Sequence, residues 1–175
     1  MRFTHLKTFE LEEILPRLKK FKKDSTGDKC MKVKVDGKTY NVRLSSTKLR
    51  TFKRSQECVS CGIKGNIFIM DRQEGHKKVC INNNIHSNIV LNLYCHNPEN
   101  GQTYILMTQD HIIPKSYGIG SSDANLQTMC EKCNREKKNT ITPEDIKKLC
   151  STKAGRKLLK KQYMHSGKTL VVTRE

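Results

Sequence analysis

No stretch of this chain is long and apolar enough to cross a bilayer. The longest apolar runs, such as Ile89–Leu93, fall far short of the roughly 20 residues that a spanning helix needs. The opening residues Met1–Glu10 lack the apolar core of a secretion signal, so the chain reads as cytosolic. Hydrophobic residues make up only 35% of the sequence, which argues against one large continuous core. A metal staple would help such a chain fold. Acidic residues are scarce as well. The 175 residues hold 17 Asp and Glu against 34 Lys and Arg, a formal charge of +17. The excess runs through the whole chain and is not confined to one tail. A polyanion is the natural partner, and nucleic acid is the commonest one. The rival readings are a solvated basic surface and an anionic membrane surface, and no segment fits the membrane.

Eight cysteines stand out against this background. In a reducing cytosol they point to metal binding or to plain burial, not to disulfides. Cys58-Val59-Ser60-Cys61 and Cys130-Glu131-Lys132-Cys133 are two CxxC pairs. Each pair can occupy two adjacent corners of a tetrahedral zinc site. The two pairs lie further apart in sequence than in a compact zinc ribbon. Cys30, Cys80, Cys95 and Cys150 are singletons that read as small buried hydrophobes. Cys95-His96 is a weak candidate for a second metal.

The fold reads as α+β. Residues His5–Lys23 show apolar residues at roughly helical spacing, with Pro16 disturbing the middle. Residues 31–35 and 39–44 alternate on either side of Asp36-Gly37, a β-hairpin signature. Ser45–Arg54 reads as a short basic helix. Asn66–Asp71, Asn88–Tyr94 and Thr103–Ile113 read as strands, with a polar excursion at Arg72–Ser87 and a turn at Pro98–Gly101. Met129–Lys138 reads as a helix. Thr142-Pro143-Glu144-Asp145 opens another, with Thr142 as N-cap and Asp145 completing a capping box. Ala154–Lys161 reads as helical and Thr169–Thr173 as a final strand. The segments divide at residues 1–57, 58–139 and 140–175.

The richest chemistry lies between Met107 and Asn139. Asp110 and His111 adjoin at the end of an apolar strand. Strand neighbours point to opposite faces, so a bulge or kink is needed to aim both at one site. A loop and a short second strand beginning at Asn125 follow. A basic helix then starts from the second CxxC pair and carries Asn134. Asp110 and the Asn134 side-chain oxygen are hard ligands for Mg²⁺ or a similar ion. Neutral His111 can act as a general base, a role worth about 10²–10⁴-fold. Arg135, Lys137 and Lys138 can neutralise phosphates, and the Asn125 amide can brace the loop that holds His111.

The run Met107-Thr108-Gln109-Asp110-His111-Ile112-Ile113-Pro114-Lys115-Ser116, then Asn125-Leu126-Gln127-Thr128-Met129-Cys130, then Cys133-Asn134, resembles the HNH endonuclease family, in particular its phage-type members. The resemblance spans about Cys58–Asn139. It implies a ββα-metal core around a Cys₄ zinc (Cys58, Cys61, Cys130, Cys133), with an N-terminal helix and β-hairpin and C-terminal helices as extensions. It implies His111 as general base, Asn125 as the loop-orienting residue, and Asp110 and Asn134 as ligands of catalytic Mg²⁺ or Mn²⁺. Lys115, Arg135, Lys137 and Lys138 would contact DNA, most naturally double-stranded. The location implied is cytoplasmic, the host's if the gene is a phage's. Such a centre cuts one strand, so a double-strand break needs a homodimer or two sequential events. The sequence departs from the family in three places. The third letter of the motif is Asn134, the loop reads Ser116-Tyr117-Gly118-Ile119, and the usual Lys-Gly-Asn ending reads Lys137-Lys138-Asn139. Two rivals remain: a zinc-stabilised nucleic-acid-binding module without activity, and an interaction protein with an acidic partner.

Overall fold

A computed structural model of the chain describes residues 3–20, 30–44, 46–74, 79–81, 84–86, 89–97, 103–119 and 121–166. Its centre is a five-stranded antiparallel sheet. The strands are β1 (Phe3–Glu10), β4 (Ile67–Gln73), β7 (Ile89–Asn97), β8 (Thr103–His111) and β9 (Leu126–Cys130), in that spatial order. Between β1 and β4 in sequence lie a hairpin, β2 (Cys30–Val35) and β3 (Lys38–Arg43), and a helix, α2 (Thr47–Arg54). A small hairpin, β5 (Val79–Ile81) and β6 (Asn84–His86), interrupts the segment expected to be a polar excursion. The final strand expected at 169–173 and the turn at 98–101 lie outside the described residues.

The N-terminal expectation is corrected. Residues 3–10 are a strand, paired with β4 from Phe3↔Gln73 to Glu10↔Ile67, with a register shift between His5 and Lys7. Only Leu11–Ile14 is α-helical (α1), followed by a 3₁₀ turn over Leu15–Lys20. Phe3, Thr4, Thr8 and Phe9 suit a pleated surface, and an entire neighbouring strand supplies their backbone partners. The apolar spacing that imitates a helix cannot compete with that ladder. Pro16 falls in the 3₁₀ turn, where the loss of one N–H matters little.

The predicted β2–β3 hairpin is present. Val35 pairs with Lys38 around Asp36 and Gly37, whose φ values of 48° and 73° are both left-handed. This is the two-residue loop whose twist matches the flanking strands. Its buried Met31, Val33 and Val42 join Phe9, Ile14, Leu18, Phe52, Phe68, Met70 and Leu93 in one cluster. The interior is therefore more continuous than the low apolar content implied, because hairpin and α2 both pack onto the sheet.

Helix α2 ties that core to the far end of the sheet. Ser46 caps it by accepting from the Leu49 N–H at 3.2 Å. Phe52 packs on Phe68 with ring centroids 6.5 Å apart. Lys48 donates to Asn92 Oδ1 beside the fully buried Asp71. Burial lowers the Lys48 ammonium to about 8, partly offset by the Asp71 charge. Arg54 donates to the Leu126 carbonyl at 3.0 Å, so α2 also fixes the start of β9.

Three helices follow the sheet: α3 (Glu131–Lys137), α4 (Pro143–Cys150) and α5 (Lys153–Ser166). The capping box at Thr142 is formed as expected, with Asp145 N donating to Thr142 Oγ1 at 3.2 Å and Thr142 N to Asp145 Oδ2 at 3.1 Å. Ile141 and Leu149 pack against Ile112, Ile113 and Ile119 in a separate cluster. That cluster anchors the loop between β8 and β9. Among the described residues, no helix is long and apolar enough to cross a membrane.

Candidate active site and cysteine cluster

Two knuckles bring the four paired cysteines together. In the first, Cys58 N donates to the Ile63 carbonyl at 2.8 Å and Gly62 N to the Cys58 carbonyl at 3.0 Å. Gly62 sits at φ 76°, a conformation that favours glycine and lets the loop fold back after Cys61. The second knuckle is built differently. Cys130 ends β9 and caps α3, accepting from the Cys133 N–H at 3.4 Å. Val59 N donates to the Thr128 carbonyl at 3.1 Å and Thr128 Oγ1 to the Ser55 carbonyl at 2.7 Å, which lock one knuckle against the other.

The four Sγ atoms of Cys58, Cys61, Cys130 and Cys133 all lie within 4.8 Å of one another, and Cys61 and Cys130 are 3.8 Å apart. Four thiolates on one tetrahedral zinc sit about 3.8 Å apart, given metal–sulfur bonds of about 2.3 Å. The cluster thus has the donors and spacing to hold a metal ion. Its electrostatics agree. Burial and the neighbouring thiols push Cys133 up to about 12. Burial raises Cys130 also. At Cys58 burial is outweighed by backbone N–H donors, which bring it to about 7. A cation among the thiols would offset the burial that raises Cys130 and Cys133. Of the singletons, Cys95 is half-buried, while Cys150 is exposed, against the expectation of burial. The side chains of Cys30 and Cys80 lie outside the described residues. No cluster of three or more ligands other than the four-cysteine one exists among the described residues, so Cys95-His96 gathers no second site.

The β8–β9 pair leads directly from this cluster to the polar site. Its register runs from Met107↔Cys130 to His111↔Leu126 without a shift. Of the bulge or kink expected, the ladder holds no bulge. His111 is instead the last residue of β8, and the chain turns away at once. Asn125 holds that turn. It is fully buried, its Oδ1 accepts from Ile113 N at 2.9 Å, and its Nδ2 donates to the Ile113 carbonyl at 2.9 Å. This amide clamp ties Asn125 to the backbone of Ile113, two residues after His111.

Asp110 is 7% exposed. Its Oδ2 accepts from Gln127 Nε2 at 2.9 Å and from Lys137 Nζ at 2.8 Å. Gln127 is opposite Asp110 in the ladder, and its Oε1 in turn accepts from Lys148 Nζ on α4 at 2.9 Å. The His111 Nε2 lies 3.0 Å from Ser121 Oγ. Burial lowers the His111 pKa, as do the nearby Lys115 and Lys137 charges, and Asp110 opposes them. The ring is therefore neutral over a wider range than an ordinary histidine. Asn134 is on α3, and its Nδ2 donates to Thr108 Oγ1 at 2.8 Å. That bond uses the amide nitrogen of the side chain. The structure does not join Asn134 to Asp110 directly. Thr108 stands between them, two residues before Asp110 on β8.

The four basic candidates divide. Lys115, Arg135 and Lys138 are exposed. Lys137 is turned inward against Asp110. Sequence reasoning passed over Gln127, Thr108, Ser121 and Lys148. The first two were within reach, since cross-strand pairing places Gln127 opposite Asp110 and strand alternation puts Thr108 on its face. Ser121 and Lys148 carried no signal, because each arrives from a separate element.

A sheet hairpin and a helix joined through four clustered thiols that could hold a metal ion, with an acid, a histidine and two buried amides at the other end, mark a mixed α/β protein with a candidate polar site. Residues 93–140 match the HNH endonuclease family, from the end of β7 through β8, β9 and α3. The match supports an HNH endonuclease domain in that segment of the chain. No curated protein and no solved structure gives a match.

Proposed function

We propose that the protein hydrolyses DNA phosphodiester bonds as an HNH endonuclease, with His111 as general base and one divalent ion, Mg²⁺ or Mn²⁺, held by Asp110 and Asn134. The observation that carries this reading is the Asp110–His111 pair at the end of β8, fixed beside α3 within the family match. The strands β8 and β9 with α3 form its ββα-metal core, and Cys58, Cys61, Cys130 and Cys133 hold a structural zinc. The nuclease unit is residues 58–139, with residues 1–57 packed onto it through β1, the hairpin and α2, and residues 1–57 and 140–175 add contacts to the substrate.

The neutral His111 ring takes a proton from water, and the resulting hydroxide attacks phosphorus as the bond to the 3′ oxygen breaks. Ser121 holds Nε2 in place. Asn125 keeps the turn behind the ring rigid, so the base does not drift from its target. When bound, the divalent ion stabilises charge on the phosphorane and on the leaving oxygen. Exposed Lys115, Arg135 and Lys138 neutralise neighbouring phosphates. Duplex DNA is the expected substrate, and a homodimer is one route to cutting both strands.

Asp110→Ala tests the metal assignment. Cleavage of plasmid DNA should need a much higher Mg²⁺ concentration or stop. An unchanged rate at limiting Mg²⁺ would remove Asp110 from the site.

A further inference from the structure

Helix α3 reads in sequence as a basic phosphate-facing helix, yet one of its lysines faces the interior. Lys137 Nζ donates to Asp110 Oδ2 at 2.8 Å, to the His111 carbonyl at 2.6 Å and to the Ile112 carbonyl at 3.1 Å. An ammonium has three protons and no acceptor, so all its donors are engaged. The Lys137 side chain is 11% exposed and that of Asp110 is 9% exposed. A phosphate could gain this lysine only by taking it from three existing partners. We propose that Lys137 is a positioning residue, fixing the Asp110 carboxylate and the turn after His111, and that it makes no contact with phosphate. What those positioned groups accomplish rests on the nuclease reading above; where the ammonium is bound does not.

Two features give the positioning its content. Asp110 Oδ2 receives two donors from two elements, Lys137 on α3 and Gln127 on β9. Rotation of the carboxylate would break both bonds at once, so the other oxygen is held in one direction. Lys148 restrains Gln127 from α4, which makes the carboxylate a junction of three elements. The second feature is the pair of carbonyls. They belong to His111 and Ile112, where the chain leaves β8 and the sheet ladder no longer supplies donors. Buried carbonyls need a partner, and Lys137 supplies one to both. Asn125 clamps Ile113 from the other side. Lysine and asparagine together therefore define the backbone on which the His111 ring is mounted.

The test uses the full-length protein and a duplex DNA oligonucleotide. In Lys137→Met the turnover should fall on the order of 10²-fold, as for a misaligned reacting group. The salt dependence of DNA binding should stay at the wild-type slope, whereas losing a phosphate contact lowers it by about 1. Propylammonium should restore part of the turnover of Lys137→Ala, a recovery that a purely structural lesion would not show. Acetylation of the wild-type protein, read by mass spectrometry, should modify Lys137 more slowly than Lys115 or Lys138. A reduced salt slope with turnover intact would overturn the proposal, as would Lys137 acetylated as fast as Lys138. If Lys137→Met does not fold, the wild-type labelling decides alone. If the wild type cuts nothing, the nuclease reading is what fails, and labelling and salt slope still judge the placing of Lys137.

Discussion

Lys138 closes α3 with φ 50° and ψ −122°, a region that glycine enters freely and other residues enter only under strain. The resemblance to the family pattern implies glycine here, and this chain carries the conformation without the residue. Lys138→Gly should therefore stabilise the fold by about 1 kcal/mol, within the usual cost of such strain. The check is the thermal unfolding midpoint, which should rise; a lower midpoint would mean that the lysine side chain holds the turn. His111 offers a second test. Burial first, then Lys115 and Lys137, lower its pKa, against Asp110. A general base works when neutral, so cleavage should persist as pH falls below the ordinary histidine value of about 6.5 and fade only at lower pH. Removing the charge in Lys115→Ala should move that acid limb upward. A limb that stays where it was would separate Lys115 from the base. Asp110, His111 and Asn125 were legible because their spacing is tied to the second CxxC pair. Lys137 was not. In sequence, an inward lysine and a solvated one look alike on a basic helix.

At the scale of elements, the cysteine cluster joins two structures made independently. One is a loop turned by Gly62, and the other is the junction of β9 and α3. A metal ion at this junction would set where α3 begins and thus where Asn134 and Lys137 stand. Structural zinc in such sites supplies roughly 10–16 kcal/mol of folding energy. Cys130→Ser should lose the metal and, with it, the cooperative unfolding of the wild type, by metal analysis and circular dichroism. A folded variant still carrying one zinc per chain would contradict the shared site. The hairpin of β2 and β3 and the start of α4 were readable in advance because their signals are local: two left-handed residues at 36 and 37, and a cap at Thr142. β1 was not readable. Its pattern imitates a helix, and what decides the matter is β4, more than fifty residues further along the chain.

For the whole molecule, a charge of +17 supplies attraction to a polyanion without choosing what happens next. Binding and cutting draw on different groups. Phosphate attraction is spread over many exposed lysines and arginines, while the reaction is proposed to depend on His111 in one fixed turn. A zinc-stabilised binding module would share the charge, the thiols and the sheet, and would differ only at that turn. The most direct measurement is incubation of supercoiled plasmid with the wild-type protein and with His111→Ala, in Mg²⁺ or Mn²⁺ and in EDTA, beside a gel-shift assay of both proteins. The account predicts metal-dependent nicking or linearisation by the wild type alone, with DNA binding retained by the variant. Wild-type protein that binds the plasmid in a salt-sensitive way and leaves it uncut with either metal would contradict it.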